Sequence, residues 1–157
     1  SMKILLAIDG SPHTEAAIVD VARGSWPDGT AIEILSVIHA SAPLAIDPAI
    51  VMAASYVEEI EERRRRPTML VNAARDRIEG DAWGVQVTTK IIEGNPKDVI
   101  LDEAREWGAD LIVVGAGGYG GPRRMVLGSV AHSVVANAPC SVQVVRDKHG
   151  LERSDAA

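Results

Sequence analysis

The chain has no phenylalanine, and aromatic residues make up only 3% of its 157 positions, so any core must be built from Val, Ile, Leu and Ala. Cysteine occurs once, as Cys140. That excludes an intrachain disulfide and fits a reducing compartment, so a cytoplasmic location is expected. No apolar run approaches the length of a membrane span, and Met2 to Ile8 is too short for a secretory signal and ends at Asp9. An excess of positive charge is also missing. The net charge of −6 argues against broad binding to nucleic acid or to an anionic membrane. No Gly-Lys-Ser/Thr occurs, which removes a Walker A loop from consideration. The histidines, His13, His39, His132 and His149, show no ligand spacing with acids or with the cysteine, so no metal centre is expected.

Glycine, by contrast, is concentrated in one place. Leu111 to Val114 is a short apolar, mostly β-branched run that reads as a buried strand. It enters Gly115, Gly117, Gly118, Gly120 and Gly121, and Gly128-Ser129 then precedes a helical pattern with Val130, Val134, Val135 and Ala138 on one side. Glycines let backbone N–H groups come close to an anion, and a helix start adds unpaired donors and a favourable dipole. A strand, a glycine-rich turn and a capped helix therefore suggest a phosphate cradle. Gly115-x-Gly117 would begin a dinucleotide fingerprint, but Pro122 blocks the helix that should open next.

Strands and helices alternate along the chain. Lys3 to Ile8 reads as a strand, and Ser11-Pro12 as the cap and first residue of a helix to about Arg23. Ala31 to Ile38 is a second strand, and Ile46 to Met52 leads into a long helical region ending near Gly80. Val85, Val87, Thr89 and Ile91 alternate as a third strand. Asn95-Pro96 repeats the cap-and-proline start of a helix that buries Ile100, Ala104 and Trp107 and stops at Gly108. Leu111 to Val114 and Val142 to Val145 are the fourth and fifth strands. This order predicts an α/β fold, a doubly wound parallel five-stranded sheet with helices on both faces. Its length suits one domain, residues 2–147, followed by a polar tail, 148–157, with Ser1 set aside as a cloning remnant.

Gly-x-x-Gly, nine residues, then Gly-Ser after a strand resembles the ATP-binding motif of the universal stress protein family. The resemblance extends over nearly the whole chain, through LLAIDGSPHTEAA, IIEGNPKDVI, GADLIVVG and GGPRRMVLGSVAHSVVANAPCSVQVVR. It implies an adenine nucleotide alpha hydrolase-like sheet of order 3-2-1-4-5, whose switch point lies between the first and fourth strands, where open α/β sheets bind ligands. It also implies a site. Asp9 would contact the adenosine, with Ala7 and Val37 giving backbone contacts, and Gly115, Gly118, Gly128, Ser129 and Val130 would hold the phosphates. The ligand would be ATP, AMP or ADP, with Mg or Mn accompanying it. A homodimer would form through the edge strand Val142 to Val145. The chain departs from the common pattern at Ala116 and Gly117, where a hydroxyl residue and His are frequent, at Tyr119, where a basic residue is frequent, and at Pro122. Ser141 and Gln143 likewise replace a usual proline and a usual apolar residue.

Each feature has a plainer reading beside this one. Asp9 can make an Asx turn before the helix instead of meeting a ligand. Arg123 and Arg124 can be solvated charges, and His13 a surface histidine. EEIEERRRR places Glu59/Arg63, Glu61/Arg65 and Glu62/Arg66 at i,i+4, supporting a helix rather than a nucleic-acid surface, and Pro67 should kink or restart that helix. Fast phosphoryl transfer needs a positioned cation and a water-orienting group, and no catalytic residue stands out. The expected function is an adenine-nucleotide-binding stress-response sensor or regulator. The alternatives are a slow ATPase or nucleotide-transferring enzyme at the same crevice, and a nucleotide-free dimeric scaffold.

Overall fold

In the computed structural model, which describes residues 1–40, 49, 54–117 and 127–148, the most apolar segment lies deepest. Strand β1 (Lys3–Ile8) has Ile4, Leu5 and Leu6 completely buried. It is the middle strand of a five-stranded sheet of order β3-β2-β1-β4-β5, formed with β2 (Thr30–His39), β3 (Val85–Gly94), β4 (Leu111–Gly115) and β5 (Ser141–Val145). Every pairing is parallel; Leu5 stands opposite Glu33 on one side and Ile112 on the other. A strand covered on both faces reads as continuous apolar sequence, as β1 and β4 do here.

Among the described residues four helices cover the two faces: α1 (Pro12–Arg23), α2 (Ala54–Asp81), α3 (Pro96–Trp107) and α4 (Ser129–Asn137). Alternation along the strands divides the core. Ile4, Leu6, Ile32 and Ile34 meet Ala17 and Val21 of α1 and Val71, Ala74 and Ile78 of α2. Leu5, Ala7, Leu35, Ile112 and Val114 meet Ile100 and Ala104 of α3 and Ala131 and Val134 of α4. Each fully buried Leu or Ile contributes about 1.5–3 kcal/mol. The fully buried large side chains are all aliphatic.

The helices differ from expectation in several details. Helix α2 is continuous through Pro67 for 28 residues and does not restart there. Proline removes one N–H at that point, and the Thr68 hydroxyl donates to Arg64 O at 2.7 Å in the same turn. The arginines also pair differently. Arg65 meets Glu62 at i,i+3, while Arg63 reaches the sheet, donating to His39 O at 2.9 Å and pairing with Glu93 at 3.6 Å. On α4, Val134 is buried but Val135 is 51% exposed, because consecutive helical residues diverge by about 100°. Of the expected lead-in from Ile46 to Met52, only Ala49 is described, in helical conformation. The tail from residue 149 lies outside the described residues. Among the described residues no helix is long and apolar enough to cross a membrane.

Candidate functional site

The switch point of the sheet falls between β1 and β4, and the chain leaves β1 through a tight turn. Asp9, exposed at the end of β1, forms an Asx turn: its Oδ1 accepts from Ser11 N at 2.8 Å and from the Thr14 hydroxyl at 3.1 Å. The carboxylate is exposed, so the turn and a ligand contact are compatible. Gly10 follows with φ +82°, a left-handed conformation that glycine adopts without strain, and Leu70 of α2 lies against it.

Ser11 stands at the N-cap of α1 as expected, but its hydroxyl caps nothing. It donates instead to Gly117 O at 3.4 Å, tying the β1 turn to the residues that follow β4. His13 belongs to the same junction. Asp147 N donates to its Nδ1 at 2.9 Å, so the neutral ring carries its proton on Nε2. The half-buried His13 ties the start of α1 to the chain leaving β5 and is not a free surface histidine.

The motif glycines act through close approach. None of Gly115, Gly117 and Gly128 has a positive φ. A Cβ on Gly115 would stand 2.9 Å from His13 Cβ and 3.1 Å from Thr14 Cγ2, so this glycine admits the start of α1. A Cβ on Gly128 would lie 2.8 Å from Gly117 Cα, and Gly128 N donates to Ala116 O at 2.7 Å. The two ends of the glycine-rich segment therefore touch backbone to backbone. Gly118, with Tyr119, Gly120, Gly121, Pro122, Arg123 and Arg124, lies outside the described residues.

That contact sets the start of α4. Its N-cap is Gly128, and no side chain caps it; Ser129, the first helical residue, is exposed. The side-chain cap expected after the loop is thus absent among the described residues, and the first N–H groups of a helix have no partner within the helix itself. Helix α3 contrasts with it, since Asn95 Oδ1 accepts from Lys97 N at 3.1 Å. Both helix starts open on one cavity of about 300 Å³, lined by His39, Asn95, Pro96, Lys97, Ser129 and Val130 among others.

Of the residues singled out from the sequence, Ser129 and Val130 line this cavity. Ala7, Val37 and Val130 share the apolar cluster beneath it. Asp9 and Gly115 meet on the other side of the strand ends, through Thr14. His39, Asn95 and Lys97 were missed: Asn95 read only as a helix cap, and nothing in residue type brings His39 beside it. Among the described residues no group of three or more His, Cys, Asp or Glu is placed to hold a metal ion. Burial pushes the Cys140 thiol up, away from the thiolate form.

Comparison with known proteins agrees with the geometry. The sequence model of the universal stress protein family matches residues 1–146. Universal stress protein YxiE of Bacillus subtilis is 34% identical over 154 residues, covering 92% of this chain and 98% of that protein. The structure of universal stress protein UspA from Lactobacillus plantarum superposes with a TM-score of 0.73 at 27% identity, over 92% of this chain and 97% of the other. An Arabidopsis thaliana universal stress family protein, solved with AMP bound, superposes with a TM-score of 0.65 at 19% identity over 96% and 94% of the two chains, a likeness of fold. The chain belongs to the universal stress protein family.

Proposed function

We propose that this protein binds an adenine nucleotide, ATP or AMP, across the strand ends between β1 and β4, and acts as a stress-response sensor or regulator whose conformation or partner depends on occupancy. The observation that carries this reading is the start of α4, which no side chain among the described residues caps, held by the Gly128–Gly117 contact and opening on a cavity of suitable size. The N–H groups of a helix's first turn and the helix dipole favour phosphate there. The Asx-turn carboxylate of Asp9, exposed at the end of β1, can meet ribose or adenine, and Lys97 brings a positive charge to the opposite wall. That charge offsets the basic residue replaced by Tyr119. The AMP-bound Arabidopsis relative supports an adenine nucleotide as the ligand class. A divalent cation, Mg or Mn, would be held chiefly by the nucleotide's own phosphates.

Mass spectrometry of ligand released from freshly purified protein, followed by thermal unfolding with added ATP, AMP and adenosine, tests the reading. Ligand at roughly a hundred times its dissociation constant should stabilise the fold by about 2.7 kcal/mol. Lys97→Gln should weaken ATP more than adenosine, by about 1 kcal/mol, the scale of an exposed ion pair. Phosphate release should stay below roughly 1 s⁻¹, the low end for enzymes. Absence of any nucleotide shift would overturn the proposal, and fast turnover would replace the sensor by an enzyme.

A further inference from the structure

Strand β2 and helix α3 bury two carboxyl groups against each other, and among the described residues Lys90 is the ammonium beside both. Glu33 is 7% exposed and Glu103 6%. Lys90 of β3 donates from Nζ to Glu103 Oε1 at 2.6 Å. Glu33 lies within hydrogen-bonding reach of Glu103, while its own Oε1 is buried with no hydrogen-bond partner among the described residues. Strand alternation explains the placement. Glu33 falls on the face that Leu35 shares with α3, with Leu5 of β1 and Thr88 of β3 beside it in register. The other charges nearby are already engaged or more distant. Glu106, one turn along α3 from Glu103, adds its field to Lys90, and Lys3 of β1 is spent on Trp107 O at 3.0 Å.

Charge balance decides the protonation state. Two carboxylates sharing a buried site cannot both be ionised cheaply, and a single ammonium offsets only one of them. The neutral arrangement is Lys90 charged, Glu103 ionised, and Glu33 protonated with its hydroxyl donating to Glu103. Burial first, then the hydrogen bond and charge of Glu103, raise Glu33 from 4.5 to about 7, against the opposing pull of Lys90.

We propose that Glu33 and Glu103 form a carboxyl–carboxylate pair holding one exchangeable proton, and that its release to water loosens α3 from β2 and β3 and with it the α3 wall of the cavity. Pro96 and Lys97, in the first turn of α3, line that cavity, so pair and site share one rigid element. The link to ligand binding rests on the nucleotide reading above; the pair itself does not.

The sign follows from proton linkage. Between 4.5, the ordinary carboxyl value, and about 7 the folded chain holds a proton that the unfolded chain has released. Stability from this group is therefore greatest in acid and falls as pH rises through that window. Carbonyl-carbon NMR of the full chain should show one glutamate titrating near neutrality, and that signal should disappear in Glu33→Gln. The melting temperature of the parent should drop across the window relative to the variant, whose amide donates to Glu103 without ionising. Amide exchange in α3, corrected for intrinsic rates, should rise with pH in the parent alone. Parent NMR in which every glutamate titrates below about pH 5.5 overturns the proposal, and this holds even if the variant fails to fold. Parallel melting profiles, or α3 exchange equally pH-dependent in both proteins, overturn the coupling to α3. A parent that shows the titration but binds no nucleotide leaves the pair standing and removes the nucleotide reading instead.

Discussion

A methyl group at position 115 would stand 2.9 Å from His13 Cβ and 3.0 Å from its carbonyl carbon, both held by the first turn of α1. At position 117 the nearest atom among the described residues would be His13 Cδ2, at 3.9 Å, an ordinary contact. The two glycines look alike in sequence and differ in consequence. Gly115→Ala should cost about 1–3 kcal/mol through overpacking, and Gly117→Ala should stay within about 0.5 kcal/mol. Urea unfolding of the unliganded chain separates them, and equal losses would contradict the packing described. This scale was the least legible from sequence. Asp9 was readable as a turn residue because Asx turns are local. The Ser11 hydroxyl on Gly117 and the Gly128 backbone on Gly117 join residues far apart in the chain, so no local pattern announces them. Glu33 escaped notice for a related reason. A glutamate within TAIEILSVIH reads as a tolerated interruption of a strand until α3 is seen to bring Glu103 onto it.

At the scale of elements, the strands, their order and the starts of α1 and α3 were legible, because apolar runs, alternation and cap-proline pairs are local signals. The resemblance supplied the order, and β1 in the centre fits its continuous burial. What sequence did not reveal was how each helix start is finished. Asn95 caps α3 with its side chain, whereas Ser129 does not cap α4 and Gly128 stands in the cap position. Two substitutions at similar-looking sites should therefore diverge. Asn95→Ala should lose about 1 kcal/mol, the usual worth of a side-chain cap. Ser129→Ala should leave the unliganded chain unchanged within about 0.5 kcal/mol. Chemical denaturation without nucleotide is the appropriate measurement, and a loss at Ser129 as large as that at Asn95 would mean its hydroxyl supports the helix after all.

For the molecule as a whole, the open question is the sheet's two edges. A parallel sheet of order β3-β2-β1-β4-β5 exposes one side of β3 and one side of β5. Unpaired edges invite pairing unless charge or covering discourages it. Strand β3 carries Lys90 and Glu93, and Arg63 of α2 reaches Glu93 at its end. The sequence of β5, SVQVV, has no charge, and Val142, Val144 and Val145 give it an apolar character. Gln143, which on sequence grounds needed a partner across a two-fold axis or water, has one within the chain: its Nε2 donates to Asp20 Oδ2 at 3.4 Å. The amide is thereby drawn toward α1, and among the described residues β5 pairs with a strand on one side only, β4. An isologous dimer through Val142 to Val145, the arrangement the family resemblance implies, is the expected assembly. Val144 packs with the cluster shared by α3 and α4 and is only half-buried, so Val144→Lys brings two like charges near the axis while costing the monomer little core. In analytical ultracentrifugation the parent should sediment as a dimer at tens of micromolar and the variant should shift toward monomer. The shift should shrink at high salt, which screens the introduced repulsion. A monomeric parent would refute the assembly, and a dimer indifferent to Val144→Lys would move its interface away from β5.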